Sequence, residues 1–371
     1  MMQRLLSVHR VLARIQLASA LILCARAWLT AQAGESPQAF RLPRTNLLVF
    51  HSPNGEVRPV KTKSDWLKRR AEILRGCEEV MGSLPGKEKR CPLDVKVQAE
   101  SDYGSFVLRS ITYASEPGCR TPAFLLVPKA SIESPRRSLG VLALHPTDMQ
   151  YGNRVVVEQL RESYRAYGRD LAERGYVVLA PAYPLMAGYQ PDLKALGYRS
   201  GTMKAIWDNI RALDVLETLP FVGKRQFGAI GHSLGGHNAI YTALFDDRVK
   251  VIVSSCGFDS YLDYKDGDIR GWTSDRYMPR LLDYLGRLEE IPFDFHEMIG
   301  ALAPRRVFIN APLRDSNFKW KSVDTIVQAA KPIYGLYQAP TKLDVEHPDC
   351  GHDFPAEIRE MAYRAFDQVL K

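Results

Sequence analysis

One short stretch of this sequence has residue types in an order that could do chemistry: Gly231-His232-Ser233-Leu234-Gly235-Gly236. It matches G-x-S-x-G, follows an apolar run at 227–230 and precedes a helical pattern at 234–245. A strand that turns straight into a helix at a serine strains the backbone there. Flanking glycines let neighbouring backbone pass where a Cβ would clash. The hydroxyl then projects from the end of the sheet, and the start of the helix offers N–H groups and a positive dipole end to a forming oxyanion. Ser233 is therefore the candidate nucleophile. The bland alternative is a Gly-rich turn with an N-capping serine, and the strand and helix on either side argue against it. Serine is a weak nucleophile near neutral pH. It needs a histidine to take its proton and a carboxylate to orient that histidine.

The elements that must position these groups are legible as an alternation. Residues 34–60 are polar and Pro-punctuated and read as irregular. A helix is predicted over 64–81, capped by Ser64, with Trp66, Leu67, Ile73, Leu74 and Val80 near helical spacing and Pro85-Gly86 as its break. Strand-like runs follow at 106–113, 123–127 and 140–144. From there, predicted helices at about 161–173, 202–219, 234–245, 323–336 and 356–370 alternate with apolar strands at 176–180, 227–230, 249–254, 306–309 and 343–346. This predicts an α/β fold, a mostly parallel sheet with helices on both faces and the crowded early strands as an antiparallel edge. Sites in such sheets lie at the carboxyl ends of strands, where Ser233 falls. The expected organisation is an N-terminal helical extension over 34–104 packed on the core, then a domain over 105–371 with a cap insertion at about 257–300.

Three further segments matter: Ser254-Ser255-Cys256-Gly257-Phe258, Trp272-Thr273-Ser274-Asp275-Arg276-Tyr277 and Pro348-Asp349-Cys350-Gly351-His352-Asp353-Phe354-Pro355. With the serine motif, they make the chain from about residue 105 resemble an α/β-hydrolase. The narrower resemblance is to the acetyl xylan esterase and dienelactone hydrolase-like branch, which includes secreted bacterial members. It implies the α/β-hydrolase fold and a catalytic order of Ser, then Asp or Glu, then His. His352, in the loop before the final helix, is the expected base, with His347 as rival. Asp315, the only carboxylate in the turn 310–315, is the expected acid, with Asp259 and Asp263 as rivals. The oxyanion is expected to meet the backbone N–H of Leu234 and a second donor after the strand at 140–144. That loop reads His145-Pro146-Thr147-Asp148; Pro146 has no N–H, so the second donor falls to Thr147. His145 and His237 read as structural.

The implied activity is serine-dependent hydrolysis of a carboxylic ester through an acyl-enzyme, on acetylated carbohydrate or another small ester. One alternative is a prolyl oligopeptidase-type serine peptidase, whose large propeller the roughly 70 residues ahead of the first strands cannot build. Another is a non-catalytic relative, which typically lacks a triad member. Most aromatics of the cap read as its own packing, while Trp272, Arg276 and Tyr277 are candidates for the substrate cleft. Neither a P-loop nor a Rossmann fingerprint occurs, and serine chemistry needs no cofactor. His347, Cys350 and His352 lack the spacing of a zinc site, so no metal is expected.

Composition narrows the partners. The chain has 371 residues, 46% hydrophobic and 25% charged, with 50 basic against 42 acidic side chains and a net charge of +8. Residues 1–33 carry Arg4, Arg10, Arg14 and Arg26 and no acid, then an apolar run from Ile15 to Ala25, then Ala31-Gln32-Ala33. That is the layout of a secretory signal peptide, too short to span a bilayer. Its removal leaves 46 basic and 42 acidic side chains, net +4 and without a basic block. Nucleic acid is therefore not an expected partner, nor is stable membrane insertion. A secreted or periplasmic location follows, with a small-molecule or carbohydrate ester as partner. Export permits disulfides among Cys77, Cys91, Cys119, Cys256 and Cys350, with Cys256–Cys350 and Cys77–Cys91 as candidate pairs.

Overall fold

The computed structural model describes residues 41–133, 138–160 and 165–370, so the export signal expected over 1–33 lies outside the described residues. In the stretch expected to be irregular, β1 (Val49–His51) and β2 (Val57–Pro59) pair antiparallel. Strands of three residues are too short to leave an alternating pattern. The first helix, α1 (Lys63–Met81), starts at Thr62 rather than Ser64. The Thr62 hydroxyl accepts the Asp65 N–H at 3.1 Å while the Asp65 carboxylate accepts the Thr62 N–H at 3.1 Å, a capping box with Asp in the acidic place. Its buried face, including Trp66, Ile73, Cys77 and Val80, joins the main hydrophobic core.

The rest of the chain runs β3 (Lys96–Asp102), β4 (Phe106–Glu116), β5 (Cys119–Pro128), α2 (Lys129–Glu133), β6 (Ser138–Leu144), α3 (Tyr167–Glu173), β7 (Val177–Pro181), α4 (Gly201–Thr218), β8 (Val222–His232), α5 (Leu234–Phe245), β9 (Val249–Ser255), α6 (Phe295–Ala301), β10 (Arg306–Asn310), α7 (Trp320–Leu336), β11 (Leu343–Glu346) and α8 (Ala356–Leu370). Strands β3 to β11 form one nine-stranded sheet in the order 11-10-9-8-6-7-5-4-3. The block from β11 to β7 is parallel, and β5, β4 and β3 extend it antiparallel. Every residue of β3 is exposed, so this edge strand carries no apolar signature and escapes the sequence pattern.

Side chains alternate across the sheet. Leu142 and Leu144 of β6 enter the core on one face, and Val141 and Ala143 enter that on the other. On β8, Gly228 makes room for α8: a Cβ there would lie 2.2 Å from the Phe366 ring.

One further sequence expectation changes. The helix expected from about 161 begins at Tyr167: Ala166, with φ −79° and ψ 42°, is its non-helical cap, and 161–164 lie outside the described residues. The cap has four 3₁₀ segments between Tyr264 and Glu290, and α6 is its one α-helix among the described residues. Lys265 and Asp266 take positive φ inside the first of these segments, which no α-helix tolerates.

The order of the strands fixes where a site can form. From β6 the chain moves to β7 on one side and then to β8 on the other, so the direction of winding reverses between β6 and β8. Leu144 lies opposite Gly231 in register, so the loops that follow these two strands open side by side at that crevice.

Candidate active site

Ser233 joins β8 to α5 with φ 54° and ψ −123°, a conformation rare for a residue with a Cβ. The glycines explain how the turn closes. A Cβ on Gly231 would lie 2.0 Å from the Gly235 carbonyl carbon, and one on Gly235 would lie 1.9 Å from the Leu144 oxygen. Backbone bonds then pin the serine: its N–H donates to Ser255 at 2.8 Å, and its carbonyl accepts the His237 N–H at 3.0 Å. The Tyr167 hydroxyl donates to the Leu144 carbonyl and accepts the His232 N–H, tying the ends of β6 and β8 together.

Asp315 and His352 meet across two loops. His352 Nδ1 lies 3.0 Å from both carboxylate oxygens of Asp315, whose side chain is 1% exposed. The same carboxylate accepts the N–H of Asn317 at 2.7 Å and of Phe318 at 3.2 Å. Burial works against its charge, but His352 and these two N–H groups outweigh burial and hold the carboxyl below its ordinary range. Two of the rivals have other partners. His347 bonds the Ala311 carbonyl at 2.7 Å and Asp324 at 2.9 Å. Asp259 accepts the Lys319 N–H at 3.0 Å, and its other oxygen is buried without a partner. Burial, with added repulsion from Asp263 and Asp294, pushes the Asp259 carboxyl up to about 7.

Ser233, Leu234, Thr147 and His352 line one cavity of about 310 Å³. Trp272 and Tyr277 line it from the cap, and the Tyr277 hydroxyl lies 3.0 Å from the Thr147 hydroxyl. Arg276, the third cap candidate, is not brought in: its Nε donates to the Leu185 carbonyl at 2.9 Å. The cationic side chain that does line the cavity is Arg165, just ahead of α3. No motif marks it in the sequence, 68 positions before the serine, and only the fold brings it to the site.

Several buried groups support this arrangement. Burial lowers the His145 pKa to about 4, so its ring is neutral. It donates from Nδ1 to the Pro146 carbonyl at 2.8 Å and accepts the Tyr183 N–H on Nε2 at 2.9 Å, which fixes the loop after β6. His237, pushed by burial to about 3, stacks on Trp272 with ring centres 4.3 Å apart. Burial also pushes the pKa of His232 well down, with help from His352 and Arg165, and its ring centre is 4.8 Å from that of His352. A neutral ring there adds no charge to compete with a His352 imidazolium.

The candidate disulfides do not form: Cys77, Cys91, Cys119, Cys256 and Cys350 are all free thiols. Cys256 instead points at the Asp353 carbonyl, 3.2 Å away. Its sulfur groups with donor atoms of Asp315 and His352 within 4.8 Å. Burial first, and the Asp315 charge second, push that thiol up, so it is protonated rather than a ready thiolate ligand.

A family model described as the prolyl oligopeptidase family matches residues 163–284, a span that contains Ser233 but neither Asp315 nor His352. The Bacillus subtilis protein named "Putative hydrolase YtaP" is 24% identical over 312 residues, covering 81% of this chain and 100% of that protein. A glucuronoyl esterase from Solibacter usitatus matches with a TM-score of 0.70 and 19% identity, over 90% of this chain and 100% of its own. A Bacteroides fragilis protein described as a "putative acetyl xylan esterase" matches with a TM-score of 0.58 and 15% identity, over 87% and 82% of the two chains. At these identities the solved structures are similar to this chain in fold.

Proposed function

We propose that this chain, which shares the fold of its solved esterase neighbours, is a serine-dependent carboxylic ester hydrolase. The observation that carries this reading is the buried Asp315–His352 pair, whose histidine shares a cavity with Ser233 in a strained strand-to-helix turn. In this reading His352 takes the Ser233 proton as the oxygen attacks the ester carbonyl. Asp315 fixes the Nδ1–H tautomer and stabilises the imidazolium. The N–H groups of Leu234 and Thr147 hold the oxyanion. His352 then protonates the leaving alcohol, and a water activated by the same histidine releases the acid.

Acetylated carbohydrate or another small carboxylic ester is the substrate class we favour. The two solved relatives with esterase in their descriptions support it, as does the aromatic wall of Trp272 and Tyr277. Secretion or a periplasmic location belongs to the same proposal and rests on residues 1–33. No helix among the described residues is long and apolar enough to cross a membrane.

The family model favours a second reading, a serine peptidase acting after proline. A panel of acetylated sugars and 4-nitrophenyl acetate set against aminoacyl-proline amides separates the two. Ester turnover abolished by Ser233→Ala is the expected result. Turnover of the amides alone would transfer the site to peptidase chemistry.

A further inference from the structure

Arg165 is the unexplained charge at the site. It lines the cavity that holds Ser233, Leu234 and His352, and it also lines a smaller adjoining cavity of about 60 Å³. It is partly buried, and its Nε is fully shielded without an acceptor. Among the described residues it has no hydrogen bond and no ion pair. The carboxylates that line the smaller cavity with it are engaged by other donors. Glu158 pairs with Arg154 at 2.7 Å, and Asp148 accepts the N–H groups of Gln150 at 3.0 Å and Tyr151 at 2.7 Å. By contrast, Arg276 spends its Nε on a backbone carbonyl, and Arg69 and Arg248 are held by carboxylates at 2.6 Å.

A guanidinium N–H shielded from water without an acceptor costs folding free energy, and folded proteins rarely leave one so. Its planar fork matches a carboxylate, and in a half-buried cavity such a pair is stronger than on the surface. We propose that Arg165 selects esters that carry a free carboxylate, the anion pairing with the guanidinium while the ester carbonyl sits at Ser233. This rests on the serine esterase reading and names a substrate class for it. Arg165 takes no part in proton transfer. It holds the substrate, so its effect falls on anionic esters and weakens as salt is raised.

The test compares kcat/KM for matched pairs in the full-length protein. 4-Nitrophenyl hemiglutarate against 4-nitrophenyl valerate puts the charge on the acyl side; acetyl-lactate against its neutral methyl ester puts it on the alcohol side. Dividing each anionic-to-neutral ratio by the same ratio for Arg165→Met cancels intrinsic reactivity. A quotient of about 10 to 100 in one pair is expected, the size of losing one charge-assisted contact, with partial rescue in Arg165→Lys. Glutarate binding measured by calorimetry, which needs no turnover, should weaken in R165M by a similar factor. A quotient of one in both pairs, with glutarate binding unaltered, overturns the proposal while ester turnover leaves the esterase reading intact. Absence of all ester turnover, with glutarate binding still dependent on Arg165, removes the esterase reading and leaves the anion site standing.

Discussion

Asp259→Asn separates a buried carboxylate from the one that serves the histidine. Asp259 is 2% exposed, with one oxygen on the Lys319 N–H and the other without a partner. Its carboxyl titrates near 7 when folded, against 3.8 when free. Between those values the folded protein holds a proton that the unfolded chain has lost. Stability from this group therefore falls as pH rises from about 4 to 7 and stays low above that. About three units at about 1.4 kcal/mol each put the total near 4 kcal/mol. Asparagine keeps the acceptor for Lys319 and is neutral throughout. The variant should gain about 1 kcal/mol over wild type at pH 4.5 and about 4 kcal/mol at pH 8, the latter visible as a Tm rise of roughly 5–10 °C. Thermal melts at the two pH values, followed by circular dichroism, check this. Ester turnover should stay within about threefold of wild type, because Asp315 is the carboxylate on His352. A gain equal at both pH values, or a loss at pH 8, would refute the titration argument. Collapse of turnover would move the acid to Asp259.

Other outcomes follow from the same geometry. Asp315→Asn keeps an acceptor for Asn317 and Phe318 but loses the charge and the tautomer control over His352; kcat for 4-nitrophenyl acetate should fall about 10⁴-fold, roughly 5.5 kcal/mol, with KM little changed. A fall of less than tenfold would exclude the role. Gly235→Ala places a Cβ 1.9 Å from the Leu144 backbone oxygen, which no side-chain rotation can relieve, so the variant should lose at least about 3 kcal/mol in a urea titration or fail to fold. A native-like midpoint would show that the β8–α5 turn is looser than described.

What the sequence reveals about this fold follows from periodicity. The parallel block announces itself because a strand such as β7, buried throughout, reads as an unbroken apolar run. The edge strand β3 has no buried residue, and β1 and β2 are three residues each, so nothing in their composition marks them. Ser233 is legible because its turn demands glycines at fixed offsets. The pairing of His352 with Asp315, and not with Asp259 or Asp263, depends on where two loops land, and the resemblance to a known family supplied that expectation. Arg165 and Arg276 show the limit. Both are arginines near aromatic residues in sequence, yet the chain carries one into the cavity and turns the other onto the Leu185 carbonyl. The cysteines show it too: Cys256 and Cys350 both lie at the sheet's carboxyl end, and the loop aims the Cys256 thiol at the Asp353 carbonyl.

The central claim is that Ser233 is a nucleophile activated by His352. A fluorophosphonate reacts only with a serine so activated, and peptide mass mapping locates the adduct. The account predicts one adduct per chain, on Ser233, absent in Ser233→Ala and slowed at least a hundredfold in His352→Gln. A folded protein that takes up no label, or takes it up on another residue, would contradict it.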